Sequence, residues 1–142
     1  MSTPWTTRKK PRKYPEQPAQ KAIVDYLERV LPHAIVHHVR NQGSKAGHLG
    51  MLEGVRMKEL GLKAGFPDLV VVNWANVGVF FIEVKPPKGG STSPAQKALH
   101  AKFEALGYPI CVARSIDDVR DYMIKNGIGF SEKIQLRGHI NG

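Results

Sequence analysis

Apolar residues recur along this chain with two different periods, and the changes of period mark out its elements. Between Glu16 and Leu31, Ala19, Ile23, Leu27 and Val30 fall at helical spacing, and Tyr26 widens the stripe. Pro18 is tolerated because it sits in the first turn, where backbone N–H groups have no intrahelical partner, and Pro32 stops the helix. Ile35 to Val39 reads as a strand that puts His37 and His38 on opposite faces, so the two cannot share a metal. Arg40 to Gly50 is glycine-rich, basic and without period, and is expected to be a loop. Leu52 to Leu60 is expected to form a short helix with Val55, Met57 and Leu60 inward and Gly61 as its stop. Leu69 to Val72 and Val79 to Val84 are apolar runs around turn residues Asn73 to Asn76, which predicts a hairpin. Ser93-Pro94-Ala95-Gln96 opens a helix, with Ser93 as N-cap, Pro94 in the first helical position and Gln96 closing a capping box. Leu99, Phe103 and Leu106 are its expected buried stripe, ended by Gly107. Ile110 to Ala113 reads as a short buried strand, and Ile116 to Lys125 as a last helix capped by Ser115 or Asp117. The order α, β, α, β, β, α, β, α predicts an α/β fold with a mixed central sheet flanked by helices.

The second run of the hairpin is apolar on both faces. Val79 and Phe81 point one way, and Phe80, Ile82 and Val84 the other, as in a strand in the middle of a covered sheet. Glu83 and Lys85 continue the Val79/Phe81 face, and a core strand does not carry two charges without compensation. Asp68, at the start of the preceding strand, meets them if the two strands pair as neighbours. Carboxylates held close raise each other's pKa unless a cation intervenes. Magnesium or manganese takes hard oxygen ligands, and Asp68, Glu83 and the Val84 carbonyl can supply them. Lys85 can then hold an attacking water or stabilise charge on a phosphate in its transition state. A bare Glu-x-Lys is common by chance; the end of a doubly apolar strand, preceded by Pro-Asp, gives this one meaning. The plainer alternative is an ordinary ion pair at an exposed strand end.

Composition narrows the partner. A chain of 142 residues fits one domain, and its 42% apolar and 23% charged residues are ordinary for a globular protein. The net charge of +9 is not ordinary, and implies an anionic partner, with nucleic acid foremost. Arg40, Asn41 and Lys45 in the loop, Arg56, Lys58 and Lys63 ahead of Pro67-Asp68, and Lys88 after Lys85 are the candidate nucleic-acid contacts. Residues 1–15, basic and proline-rich, read as a disordered arm, 16–126 as the folded domain and 127–142 as a C-terminal extension in which Lys133 to Ile140 could add a strand. The single cysteine, Cys111, excludes an internal disulfide and a cysteine-based zinc site, and reads as a buried small hydrophobe. No apolar run approaches the ~20 residues of a membrane span, and no signal-peptide centre is seen, so a cytoplasmic location is expected. Gly43 and Gly47 lack the Gly-Lys-Ser/Thr of a phosphate-binding loop, and no organic cofactor is expected.

Gly65-Phe66-Pro67-Asp68 followed by Phe81-Ile82-Glu83-Val84-Lys85 resembles the PD-(D/E)xK, or restriction-endonuclease-like, nuclease superfamily. More closely, the chain resembles the VRR-NUC family of virus-type replication and repair nucleases. The likeness includes Val55 to Gly61, Ser93 to Gln96 and Gly107, and covers roughly Glu16 to Val119. The resemblance implies an αβββαβ core, with 16–126 as the nuclease domain. It implies a magnesium site to which Glu16, Asp68, Glu83, Val84 through its carbonyl, Lys85 and Gln96 correspond, with manganese able to substitute. Glu16 stays open between metal ligand and helix-dipole carboxylate, and Gln96 between cap and active-site group. The implied activity is metal-dependent DNA endonuclease, and stand-alone members resemble homodimers that cut flap-like or junction DNA in replication, repair or recombination. The rival reading is a non-catalytic basic nucleic-acid-binding module.

Overall fold

A computed structural model of the chain describes residues 14–39, 48–73 and 78–131. Its elements are α1 (Gln17–Val30), β1 (Ile35–His38), α2 (His48–Glu59), β2 (Leu69–Asn73), β3 (Gly78–Val84), α3 (Pro94–Ala105), β4 (Cys111–Ala113) and α4 (Ile116–Lys125). The four strands lie in sequence order. β1–β2 and β2–β3 are antiparallel, as directly joined neighbours can be, whereas β3 and β4 are parallel because α3 carries the chain back between them. The fold is thus an α/β mixed sheet flanked by helices, in the predicted order.

One face of this sheet is sealed. Leu69, Val71, Phe80, Ile82, Val84, Cys111 and Ala113 alternate along their strands onto it. The stripe of α1 (Ile23, Tyr26, Leu27, Val30) covers them together with Val119 and Met123 of α4, and all are buried. Ile128, beyond α4, joins the same core, and the Ser131 N–H donates to the Val30 carbonyl at 2.9 Å. The other face is thinly covered. Phe81 packs against Phe66, Phe103 and Tyr108, with ring centroids 5.9, 4.6 and 6.1 Å away, and Val72 and Val112 stay exposed.

The two helices outside the core differ from expectation. α2 starts at His48, inside the stretch read as loop, and Val55 and Leu60 point outward with 53% and 72% exposure. Five residues apart, they stand about 140° apart around a helix and cannot share one inward stripe. Leu106, expected to be buried, is 73% exposed, because it is the C-cap of α3 and lies past the last regular turn; Leu99 and Phe103 are only half-buried. The N-terminal arm through residue 13, the candidates Arg40, Asn41 and Lys45, the turn residues Trp74 to Asn76 and the possible strand Lys133 to Ile140 all lie outside the described residues.

Candidate active site

The acids meet where β2 begins and β3 ends. Leu69 pairs with Ile82, so antiparallel continuation sets Asp68 opposite Glu83. Asp68 is held from both sides: the Val84 N–H donates to its Oδ2 at 2.8 Å, and its carbonyl accepts from the Val39 N–H at 2.8 Å. An extended residue sends its N–H and C=O to the same edge, so the Val84 carbonyl also faces the Asp68 side. Lys85 N–H turns the opposite way, to the Ala113 carbonyl at 2.8 Å, which fixes the strand end between its two neighbours.

Glu83 and Lys85 share the thinly covered face, yet both are buried, at 3% and 7% exposure. Lys85 Nζ lies 3.7 Å from Glu83 Oε1, and donates to the Ser91 carbonyl at 3.1 Å and to Gln96 Oε1 at 2.9 Å. Gln96 Nε2 donates to Glu83 Oε1 at 2.6 Å. This amide orientation is the one the neighbours permit, since a flip would set NH2 against an ammonium and oxygen against a carboxylate. Gln96 also completes the predicted capping box. Ser93 N–H donates to Gln96 Oε1 at 2.9 Å, and Gln96 N–H to Ser93 Oγ at 3.2 Å. Cap and site contact are therefore one side chain acting in both directions.

Glu83 Oε2 is buried with no hydrogen-bond partner among the described residues. Burial first, and then the facing Asp68 charge, push the Glu83 pKa up from 4.5 to about 8. Burial also raises Asp68 against the opposing pull of the Val84 N–H, while the Glu16 charge adds a smaller push in the same direction. Without a cation the pair keeps a proton that ordinary carboxylates would have lost. The donor set, one buried and one half-buried carboxylate with an orphaned oxygen and an adjacent carbonyl, fits a hard divalent ion. Among the described residues no three His, Cys, Asp or Glu side chains gather into a ligand cluster, and the Glu16 charge is felt at Asp68 as a small upward push on its pKa.

Of the basic candidates, Arg56, Lys58, Lys63 and Lys88 are exposed. Two residues escaped the sequence reading. Arg114, just past β4, donates through Nη1 to the Pro86 carbonyl at 2.7 Å and to the Gly89 carbonyl, and through Nη2 to the Gly90 carbonyl at 3.1 Å. It pins the loop between Lys85 and Ser91, the residue that accepts from Lys85. In sequence it is only an arginine before a cap; loop carbonyls give no side-chain signal. His100 lies one turn beyond Gln96, with Nε2 buried and unpartnered among the described residues, and burial, then the Lys85 charge, lower its pKa. Its i+4 spacing from Gln96 could have flagged it.

Pro-Asp opens one strand of the mixed sheet and Glu-x-Lys closes its neighbour, the arrangement expected of the restriction-endonuclease-like nuclease superfamily, to which the family found by comparison belongs. The VRR-NUC domain family model matches residues 15–117. The chain belongs to the VRR-NUC family and is a nuclease-type domain. Solved structures share its fold, two of them described as VRR_NUC domains. One, a "VRR_NUC domain protein", aligns at 23% identity and a TM-score of 0.60 over 84% of this chain and 93% of its own; the other, a "VRR_NUC domain", does so at 24% and 0.52 over 78% and 95%. No curated protein matches the chain. Among the described residues no helix is long and apolar enough to cross a membrane.

Proposed function

We propose that this protein is a divalent-metal-dependent DNA endonuclease in which Asp68, Glu83 and the Val84 carbonyl hold Mg²⁺, with Mn²⁺ able to replace it. The carrying observation is the Asp68–Glu83 pair, Glu83 buried and Asp68 half-buried, with Glu83 Oε2 lacking a donor beside a buried lysine. Such an ion would polarise the scissile phosphate and acidify a bound water. Lys85, fixed by Ser91 and Gln96, sits where an ammonium can orient that water or meet charge gathering on the phosphate oxygens. Gln96 keeps Glu83 Oε1 engaged, so Oε2 would be the oxygen left to hold such an ion. Glu16 adds negative field at the pair, which favours a cation there.

A purely DNA-binding module would account for the +9 charge, but gains nothing from a buried carboxylate facing a half-buried one. Branched DNA and a homodimer belong to the proposal. The exposed Met51, Leu52 and Val55 of α2 offer an apolar face that a second copy could bury. The test incubates the protein with linear, flapped and four-way DNA, each with Mg²⁺, Mn²⁺ or EDTA, while sedimentation reads its mass. Cleavage that needs metal and disappears in Asp68→Asn and Glu83→Gln is expected. Cleavage in EDTA, or equal cutting by those variants, would sink the assignment.

A further inference from the structure

A cleft of about 270 Å³ opens between α2 and the start of α3, beside the acid pair. Its walls include Lys58, Leu62, Lys63, Gly65 and Phe66, and Gln96 lies on its boundary. None of the nine described residues that line it is acidic. At roughly 30 Å³ per water, the space equals about nine waters, which is too small for a stretch of duplex and adequate for one sugar-phosphate unit. Both lysines are exposed and able to swing, while Leu62 and Phe66 supply an apolar wall.

The cleft is tied to the chemistry through Gln96, whose amide also contacts Glu83 and Lys85. Gly65 closes the cleft where the loop ahead of Asp68 meets α3. With φ +81°, Gly65 lies so close to α3 that a Cβ there would stand 2.7 Å from the Ala95 carbonyl carbon and the Gln96 nitrogen. The loop is thus pressed against the turn that presents Gln96, and cleft and acid pair share a rigid boundary.

We infer that this cleft seats the phosphodiester next to the scissile one on the cut strand, with Lys58 and Lys63 neutralising it and Leu62 and Phe66 against its sugar. Engagement there aligns the neighbouring phosphate with Asp68 and Glu83, so binding energy from a non-reacting part of the substrate orients the reacting part. The inference rests on the reading of Asp68 and Glu83 as the catalytic centre.

The experiment uses the full chain and labelled DNA of whichever form wild type cuts. Binding is measured in EDTA across a salt series, and cleavage with Mg²⁺ separately. Lys58→Ala/Lys63→Ala is expected to lower the slope of log affinity against log salt by about two. Ala64→Leu narrows the cleft without changing charge and is expected to raise KM about tenfold, a loss the size of one good contact. Deoxythymidine 3′,5′-bisphosphate is expected to inhibit wild type competitively and the double variant far less, a readout that stands even where Ala64→Leu misfolds. An Ala64→Leu protein that melts like wild type and keeps its KM, or a bisphosphate that inhibits both proteins equally, overturns the cleft assignment while leaving the nuclease reading intact. Absence of metal-dependent cleavage in wild type, with the binding effects preserved, overturns the nuclease reading instead.

Discussion

The two faces of the sheet are built from the same strands by opposite rules. On one, Phe80, Ile82 and Val84 meet α1 and α4 in an apolar core whose members carry no charged side chain. On the other, Phe81 leads directly to Glu83 and Lys85, and the cover is an aromatic cluster and the start of a helix with no fully buried residue. Alternating side chains let one strand anchor the fold and display the chemistry at once. Stability is concentrated on the first face, and the second carries buried charge that the fold alone would not favour.

The largest effect should separate the adjacent phenylalanines. Phe80→Ala is expected to cost about 3–5 kcal/mol, as for a buried aromatic truncation. Phe81→Ala, half-buried, should cost about 1–2 kcal/mol. Urea melts of both variants check this, and equal losses would mean that the open face is as structural as the sealed one.

Next come the acids. Glu83→Gln and Asp68→Asn are each expected to slow cleavage by at least ~10²–10³-fold, and to leave the melting temperature near neutral pH unchanged or higher, because an amide needs no proton taken up on folding to relieve the facing pair. A parallel fall in melting temperature would return these residues to the structural side of the comparison.

Proton linkage sharpens the contrast without touching a side chain. Glu83 in the fold keeps its proton until about 8, whereas its ordinary value is 4.5, and Asp68 shifts in the same direction. Above 4.5 the unfolded chain releases a proton that the folded chain retains. The pair's contribution is therefore complete below about 4.5 and is lost as pH rises towards about 8. Metal-free protein should melt at progressively lower temperature over that range, Mg²⁺ should restore it, and Glu83→Gln should flatten the curve. Calorimetry across pH, with and without EDTA, reads all three.

The smallest expected effect concerns the loop. Arg114→Ala should lower kcat about tenfold by releasing the 86–90 segment and the Lys85–Ser91 contact, with KM little changed. Arg114→Lys should not restore it, because an ammonium cannot span several carbonyls as a guanidinium does. Full activity in the lysine variant would reduce Arg114 to a charge.

Much of this division could be read from residue order. The alternation from Val79 to Lys85 separates the two faces, and Pro67-Asp68 before it locates the partner acid, because strand pairing follows from the hairpin. The capping box was legible because its chemistry is local. What stayed hidden depends on partners that no period encodes. Val55 and Leu60 were read as inward only because apolar residues usually are, yet nothing in the core receives them. Arg114 binds carbonyls, which every residue carries, so its role needed coordinates. The closeness of Gly65 to α3 is a fact of tertiary approach, invisible in a glycine before Phe-Pro-Asp.

The shared duty of Gln96 has a further consequence. Helix ends fray at low free-energy cost, well before a domain unfolds. When the first turn of α3 opens, the Ser93 contacts and the Glu83 contact loosen together, since one residue, through its backbone N–H and its side-chain amide, makes them all. The working fraction of the protein is then the fraction of time that this turn is closed, and heat should silence the enzyme some degrees before it melts the sheet.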